Sequence, residues 1–320
     1  MGIGDLAEGL TRGAERFGDG VSQALEPVVR LGVTGLSRAG KTVFITSLVA
    51  NLLDRGRMPQ FMPAANGAII AAYLQPQPDD TVPRFDYESH LAALTGENPH
   101  WPESTRAVSE LRLSLLVRPT GILKSLVRPR RLHLDIVDYP GEWLLDLALL
   151  HKTYAQWSAD MLERIRNRAL AQPFLAQAAK LQSVARFEES QAQDLARRYT
   201  GYLRDARDAG LSDCTPGRFL LPGELRGAPV LTFAPLNRPE RPARASLWRE
   251  MERRYDAYRK QVVKPFFRNH FARIDRQVVL VDALGAIHDG PEAVADMNRA
   301  MADILAAFRP GHNGRLSRLL

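Results

Sequence analysis

Gly35-Leu36-Ser37-Arg38-Ala39-Gly40-Lys41-Thr42 is the stretch on which the fold turns. It matches G-x-x-x-x-G-K-[ST] at every fixed position. From average composition those positions recur by chance in roughly one chain of this length in a hundred. The residue types answer a physical need. Glycines let the backbone curl until successive N–H groups point into one concavity. The concavity sits at a helix N-terminus, where partial positive charge favours phosphate. Lys41 sets a full charge against the β/γ oxygens of a nucleoside triphosphate, and the Thr42 hydroxyl is a hard oxygen ligand for Mg²⁺. The expected phosphate contacts are therefore Gly35, Ser37, Arg38, Ala39, Gly40, Lys41 and Thr42.

The flanks supply the context that the motif requires. Residues 28–34, VVRLGVT, read as a strand, and residues 41–54 as a helix. Strand, glycine-rich turn and helix in that order open an α/β unit. Further along, residues 132–137 form another strand, followed directly by Asp138-Tyr139-Pro140-Gly141-Glu142. A carboxylate at the C-terminal end of a neighbouring parallel strand can face the phosphate loop. There Asp138 can hold magnesium through water, and Gly141 lets its N–H approach a γ-phosphate. A third element, Trp101-Pro102-Glu103-Ser104-Thr105-Arg106, precedes a strand at 107–118. In P-loop switch proteins a threonine between the first helix and the next strand closes on the magnesium, and Thr105 has that place.

The rest of the chain gives a coarser picture. Residues 5–25 have helical amphipathic spacing. Residues 56–84 are rich in Pro, Gly, Gln and Asp; apart from a short apolar run at 68–74 they read as loop. Residues 86–96 look helical. The strands at 107–118 and 132–137 suggest a hairpin whose tip, 118–131, is basic. Residues 144–209 are Ala-, Leu-, Arg- and Gln-rich and helical by spacing, with a break at Pro173. Residues 228–234 have the composition of a strand, 245–274 look helical, 277–282 read as a buried strand and 290–308 as an amphipathic helix. The expected architecture is α/β: a P-loop, mostly parallel sheet with a helical insertion. Its parts are a nucleotide-binding core in 1–143, the insertion in 144–227, and a continuation of the core in 228–320.

Composition bounds the function. In 320 residues the hydrophobic fraction is 45% and the charged fraction 25%, ordinary for a globular protein. Lys and Arg number 43 against 36 Asp and Glu, a formal charge of +7 that favours anionic partners: nucleotide, nucleic acid or an acidic membrane surface. No aromatic–basic interleaving of an RNA-binding module appears, which argues against nucleic acid. One cysteine, Cys214, excludes an intramolecular disulfide and a multi-cysteine zinc site, and a reducing cytoplasm is the default. The histidines are scattered without metal-ligand spacing, and His133 on a strand reads as a packed or edge residue.

Across nearly its whole length the sequence resembles the YcjX family of bacterial P-loop proteins, whose fold is similar to Ras-like and Gα-like GTPases. The match is carried by residues 37–42, by Arg84-Phe85-Asp86-Tyr87-Glu88, by 101–106, by Asp138-Tyr139-Pro140-Gly141-Glu142-Trp143-Leu144-Leu145-Asp146, by Pro216-Gly217-Arg218-Phe219-Leu220-Leu221-Pro222-Gly223 and by Val281-Asp282. The resemblance implies that Thr42, Thr105 and Asp138 serve Mg²⁺ and that Gly141 senses the γ-phosphate. Lys41, Glu142 and Thr105 would act in catalysis. Glu142 stands where Ras-like proteins have a water-orienting glutamine, and its charge near a γ-phosphate implies slow hydrolysis. Arg38 and Arg106 are candidates for an arginine acting in cis. The implied ligand is GTP or GDP, with ATP or ADP as the alternative. The implied role is a switch with a protein partner of unknown identity; the competing roles are a scaffold without turnover and a basic-surface binder of membrane or nucleic acid. The guanine-reading Asn/Thr-Lys-x-Asp motif is not found. The family carries Thr-Lys-Ala-Asp after a segment resembling 308–320, so the chain reads as the front part of a longer protein.

Overall fold

The computed structural model describes residues 26–36, 39–54, 58–102, 105, 107–118, 129–181, 186–212 and 214–307. The amphipathic segment 5–25, the phosphate-loop residues Ser37 and Arg38, Arg106, and 119–128 of the basic tip lie outside them. The chain divides into two compact units. One draws on Met1–Leu31, Val43–Pro102 and Ser109–Val137, the other on Gly32–Thr42, Glu103–Val108 and Asp138–Leu320.

The first unit holds most of a mixed five-stranded sheet. Strands β1 (Val28–Gly35), β2 (Ile69–Gln75), β3 (Ser109–Val117), β4 (Arg130–Asp138) and β5 (Arg276–Leu280) run in the order β2-β3-β4-β1-β5. Helix α1 (Lys41–Leu53) follows β1, and α2 (Tyr87–Thr95) is N-capped by Asp86, whose side chain accepts from the Ser89 N–H. β2 pairs antiparallel with β3, with Ile69 opposite Val117 and Leu74 opposite Leu113. The apolar run at 68–74, singled out within a segment that otherwise reads as loop, is thus a strand. Cross-strand pairing, which its own turn-rich neighbourhood hides, decides it. Leu52, Ile69, Leu113 and Leu115 form the buried core beneath it. β3 and β4 are sheet neighbours, as the hairpin reading requires.

The same unit contains a relay with the connectivity of a hydrolase triad. The Ser114 hydroxyl lies 2.8 Å from His133 Nδ1, and His133 Nε2 lies 2.7 Å from Glu26. Ser114 is fully buried and also donates to Gln75 at 2.6 Å, so no substrate reaches it. The relay satisfies buried polar groups, and His133 is the packed residue that its strand position suggests.

The second unit is mainly helical: α3 (Gly141–Leu145), α4 (Tyr154–Ile165), α5 (Gln172–Lys180), α6 (Glu189–Asp208), α7 (Gly217–Leu220), α8 (Leu247–Tyr258), α9 (Lys264–Asn269), α10 (Ala283–Asp289) and α11 (Pro291–Ala307). α4 opens with a Thr153/Gln156 capping box and buries Tyr154, Trp157, Met161 and Ile165 at helical spacing. α6 buries Leu195, Tyr199, Tyr202 and Ala206, and α8 buries Trp248, Met251, Tyr255 and Tyr258. Rings of this unit meet in several geometries: Tyr154 is tilted against Trp248 at 4.7 Å, Phe219 meets Phe233 edge-on at 4.9 Å, and Trp157 stacks on Tyr255 at 5.2 Å between centroids.

The strand expected at 228–234 does not form. Pro229–Leu231 is a 3₁₀ turn, and no ladder follows it. Phe233, Ala234 and Leu236 are nonetheless buried. Their backbone is satisfied by side chains instead: Tyr154 donates to the Ala234 carbonyl at 2.8 Å and Ser158 to the Leu236 carbonyl at 2.6 Å. β5 is half-buried rather than fully buried, and α10 was not expected at all; Asp282 caps it by accepting from the Gly285 N–H at 2.8 Å. Among the described residues no helix is long and apolar enough to cross a membrane.

Candidate functional site

The site is built within the second unit, from the ends of two strands. β1 delivers Gly35 and Leu36, and the Ala39 N–H closes a turn on the Leu36 carbonyl at 3.2 Å. Gly40 follows at φ +80°, a left-handed conformation that favours glycine. Lys41 then starts α1. Its Nζ reaches back across the turn, donating to the carbonyls of Gly35 at 2.7 Å and Leu36 at 3.4 Å. Lys41 is only 8% exposed, and burial lowers its pKa while Glu142 and Asp138 pull the other way. A cation so placed gains from an anion brought alongside. Thr42, equally buried, is the next residue of the helix.

β4 delivers the second wall. It ends in Asp138, and Tyr139 beyond it donates to Gln277 at 2.9 Å. Gly141, which begins α3, lies against the backbone of the phosphate loop. A Cβ there would collide with the Gly35 carbonyl and come within 3.1 Å of the Leu36 α-carbon. Only glycine allows these two segments to touch. The glycine of the D-x-x-G stretch and the first glycine of the loop are therefore in contact.

Asp138 is 2% exposed. One carboxylate oxygen accepts from the Thr105 hydroxyl at 2.7 Å, and the other has no hydrogen-bond partner among the described residues. Burial pushes this carboxyl up to about 6, with Thr105 and Lys41 acting against the rise. A buried carboxylate with one oxygen unmatched is costly unless something cationic meets it. A carboxylate oxygen beside a threonine hydroxyl is the hard donor set that Mg²⁺ prefers. The residues fit the ion. Thr105, chosen from sequence only by its position in a loop, reaches Asp138 across 33 residues.

Glu142 is 7% exposed and lines a cavity of about 350 Å³ together with Leu36 and Thr105. Sequence reasoning assigned no role to what holds α3 behind it. The Gly217 α-carbon packs on the Glu142 backbone, Trp143 Nε1 donates to the Leu221 carbonyl at 3.1 Å, and the Arg218 guanidinium stacks on the Trp143 ring at 3.2 Å. Asp146, fully enclosed, accepts from the backbone N–H groups of Gly217 and Arg218 and from the Tyr258 hydroxyl. The recurrence of Pro216-Gly217-Arg218 among the family-like segments was the available signal. Arg207, which also lines the cavity, gave none.

A family model described as "YcjX-like family, DUF463" matches residues 29–320. The chain is 39% identical over 315 residues to a protein of Shewanella oneidensis named "Ras-like GTPase YcjX", covering 91% of this chain and 65% of that protein. It is 37% identical over 316 residues to the Escherichia coli protein of the same name, covering 93% and 67%. The chain thus spans about two thirds of the length of these relatives.

Proposed function

We propose that this chain, which belongs to the YcjX-like family, binds GTP with Mg²⁺ at Gly35–Thr42 and hydrolyses it slowly as a nucleotide-dependent switch. One observation carries the reading: the buried Asp138 carboxylate, bonded on one side by Thr105 and unmatched on the other, beside the buried ammonium of Lys41. Thr42, Thr105 and Asp138 would hold Mg²⁺, which when bound supplies charge neutralisation to the phosphates. Lys41 would set its ammonium against the β/γ oxygens, and the Gly141 N–H would meet the γ-phosphate. Glu142 would orient the attacking water, at the cost of a carboxylate near the phosphate. The preference for guanine rests on the relatives' names and on the switch-loop layout. In the same reading, 1–143 and 228–320 form the nucleotide core around an insertion at 144–227.

Calorimetric titration with GDP and with ADP tests the ligand, and phosphate release from GTP tests turnover. Lys41→Ala is expected to abolish triphosphate affinity. Retained affinity in that variant contradicts the assignment. Tight guanine-nucleotide binding with no phosphate release favours the scaffold reading, for which the buried Glu142 charge is the specific argument.

A further inference from the structure

Hydrolysis at this site has a charge problem. Asp138 and Glu142 are both buried carboxylates, and Lys41 is already engaged with two loop carbonyls. As water attacks, negative charge must be stabilised on the oxygens of the transferred group, and preorganised cations do this best. The cavity that Leu36, Thr105 and Glu142 line is also lined by the end of α6, and the single cationic side chain among its described lining residues is Arg207.

The position of Arg207 is fixed while its head is not. It lies in the last turn of α6, a helix anchored by buried Tyr199, Tyr202, Leu203 and Ala206. The helix stops at Gly210, φ +85°, where the Gly210 N–H returns to the Arg207 carbonyl at 3.0 Å and the Leu211 N–H to the Ala206 carbonyl at 2.9 Å. The backbone is therefore held. The guanidinium pairs with its sequence neighbour Asp208, through Nε at 3.2 Å and Nη2 at 3.1 Å, and Asp208 is 62% exposed. A pair of adjacent residues whose carboxylate faces solvent is weakly held and screened by salt. At about 350 Å³ the cavity is at the small end of ligand sites, and Arg207 shares its lining with Leu36, Thr105 and Glu142.

We propose that Arg207 leaves Asp208 and crosses this cavity to the γ-phosphoryl oxygens, supplying in cis the charge that speeds hydrolysis. The inference rests on the GTPase reading above. In the step, the water oxygen bonds to the γ-phosphorus, and the bond from that phosphorus to the β–γ bridging oxygen breaks. The electron pair stays on GDP, and the water proton leaves with phosphate to solvent: GTP and water give GDP, phosphate and a proton. Arg207 touches only the oxygens and forms no covalent bond. Its guanidinium matches phosphoryl oxygens with two parallel N–H donors, which lysine cannot reproduce. The sequence candidates Arg38 and Arg106 lie outside the described residues.

The test is single-turnover GTP hydrolysis and capture of GDP with aluminium fluoride in the intact protein, alongside GTP affinity. Arg207→Ala is expected to slow hydrolysis at least 100-fold and to abolish aluminium fluoride capture, with GTP affinity changed less than about threefold. Arg207→Lys recovers only a small part. Asp208→Asn, which frees the guanidinium, raises the rate, and the gain disappears in the Arg207→Ala/Asp208→Asn double variant. An Arg207→Ala protein that binds GTP, hydrolyses it at the wild-type rate and captures aluminium fluoride normally overturns the role of Arg207 alone. A wild-type protein that binds GTP and releases no phosphate overturns the GTPase reading itself, and this proposal with it.

Discussion

Asp138 shows how a single residue can be placed against stability. Its carboxylate is buried and one oxygen lacks a partner, so the charge costs free energy in the absence of a cation. Asp138→Asn keeps an acceptor for Thr105 and removes the charge. It is expected to stabilise the fold at pH 7.5 by about 2 kcal/mol, read in thermal melts as a higher melting temperature. The same variant should lose Mg²⁺-dependent triphosphate binding in calorimetry. Stabilisation and loss of binding in one substitution is the signature of a functional rather than a packing residue. Gly141 makes the complementary case. A methyl group there meets the Gly35 carbonyl, and loop and α3 must separate. Gly141→Ala should weaken nucleotide binding at least tenfold while circular dichroism remains that of a folded protein; unchanged affinity would show that the contact has no part in the site.

At the scale of elements, α3 is a wall held from behind rather than a free loop. Gly217, Arg218 and Leu221 bond or pack on it, and Asp146, just beyond its end, holds the N–H groups of Gly217 and Arg218 and the Tyr258 hydroxyl. Burial pushes the Asp146 carboxyl up to about 6, against the hydrogen bonds from Tyr258, Gly217 and Arg218. The sign of the consequence follows from linkage. Between about pH 4 and pH 6 the folded protein holds this proton and the unfolded chain does not, so stability falls as pH rises through that window. Asp146→Asn does not titrate. The lead of the wild type over this variant in thermal melts should therefore shrink from pH 4 to pH 7, by about 3 kcal/mol at most. A lead that grows with pH would mean that the hydrogen bonds outweigh the burial.

At the scale of the molecule, the second unit is fastened by charges as well as by rings. Arg168, 9% exposed, donates to the fully buried Asp296 at 2.6 Å, to Tyr202 at 2.9 Å and to Glu292 at 2.9 Å. It thereby joins the start of the α5 region to α6 and α11. Removing Arg168 leaves the buried Asp296 with Arg299 and takes the donor from Tyr202, so Arg168→Ala should destabilise by about 2 kcal/mol in urea melts. Arg168→Met with Asp296→Leu should recover much of that loss, because the pair is replaced by packing. A cost within 0.5 kcal/mol, the range of about the ordinary surface substitution, would show that Arg168 is not a staple.

The amino-acid order alone determined the strand, turn and helix around Gly35–Thr42, because glycine conformation, helix start and residue chemistry are local. It also located β3, β4 and α11, whose apolar periodicity is visible within a single window, and marked Asp138 and Gly141 by their place after a strand. Only the tertiary structure decided that residues 69–75 pair with β3 and that 228–236 stay out of the sheet. Pro229 and Pro235 hinted at the latter, but the side-chain donors that replace the ladder come from Tyr154 and Ser158, far away in sequence. Burial of Asp138, its bond to Thr105, and the meeting of Arg207 with Glu142 around one cavity are likewise tertiary facts. Local propensity has no term for which distant groups share a low-dielectric space, and that sharing is what sets the chemistry of this site.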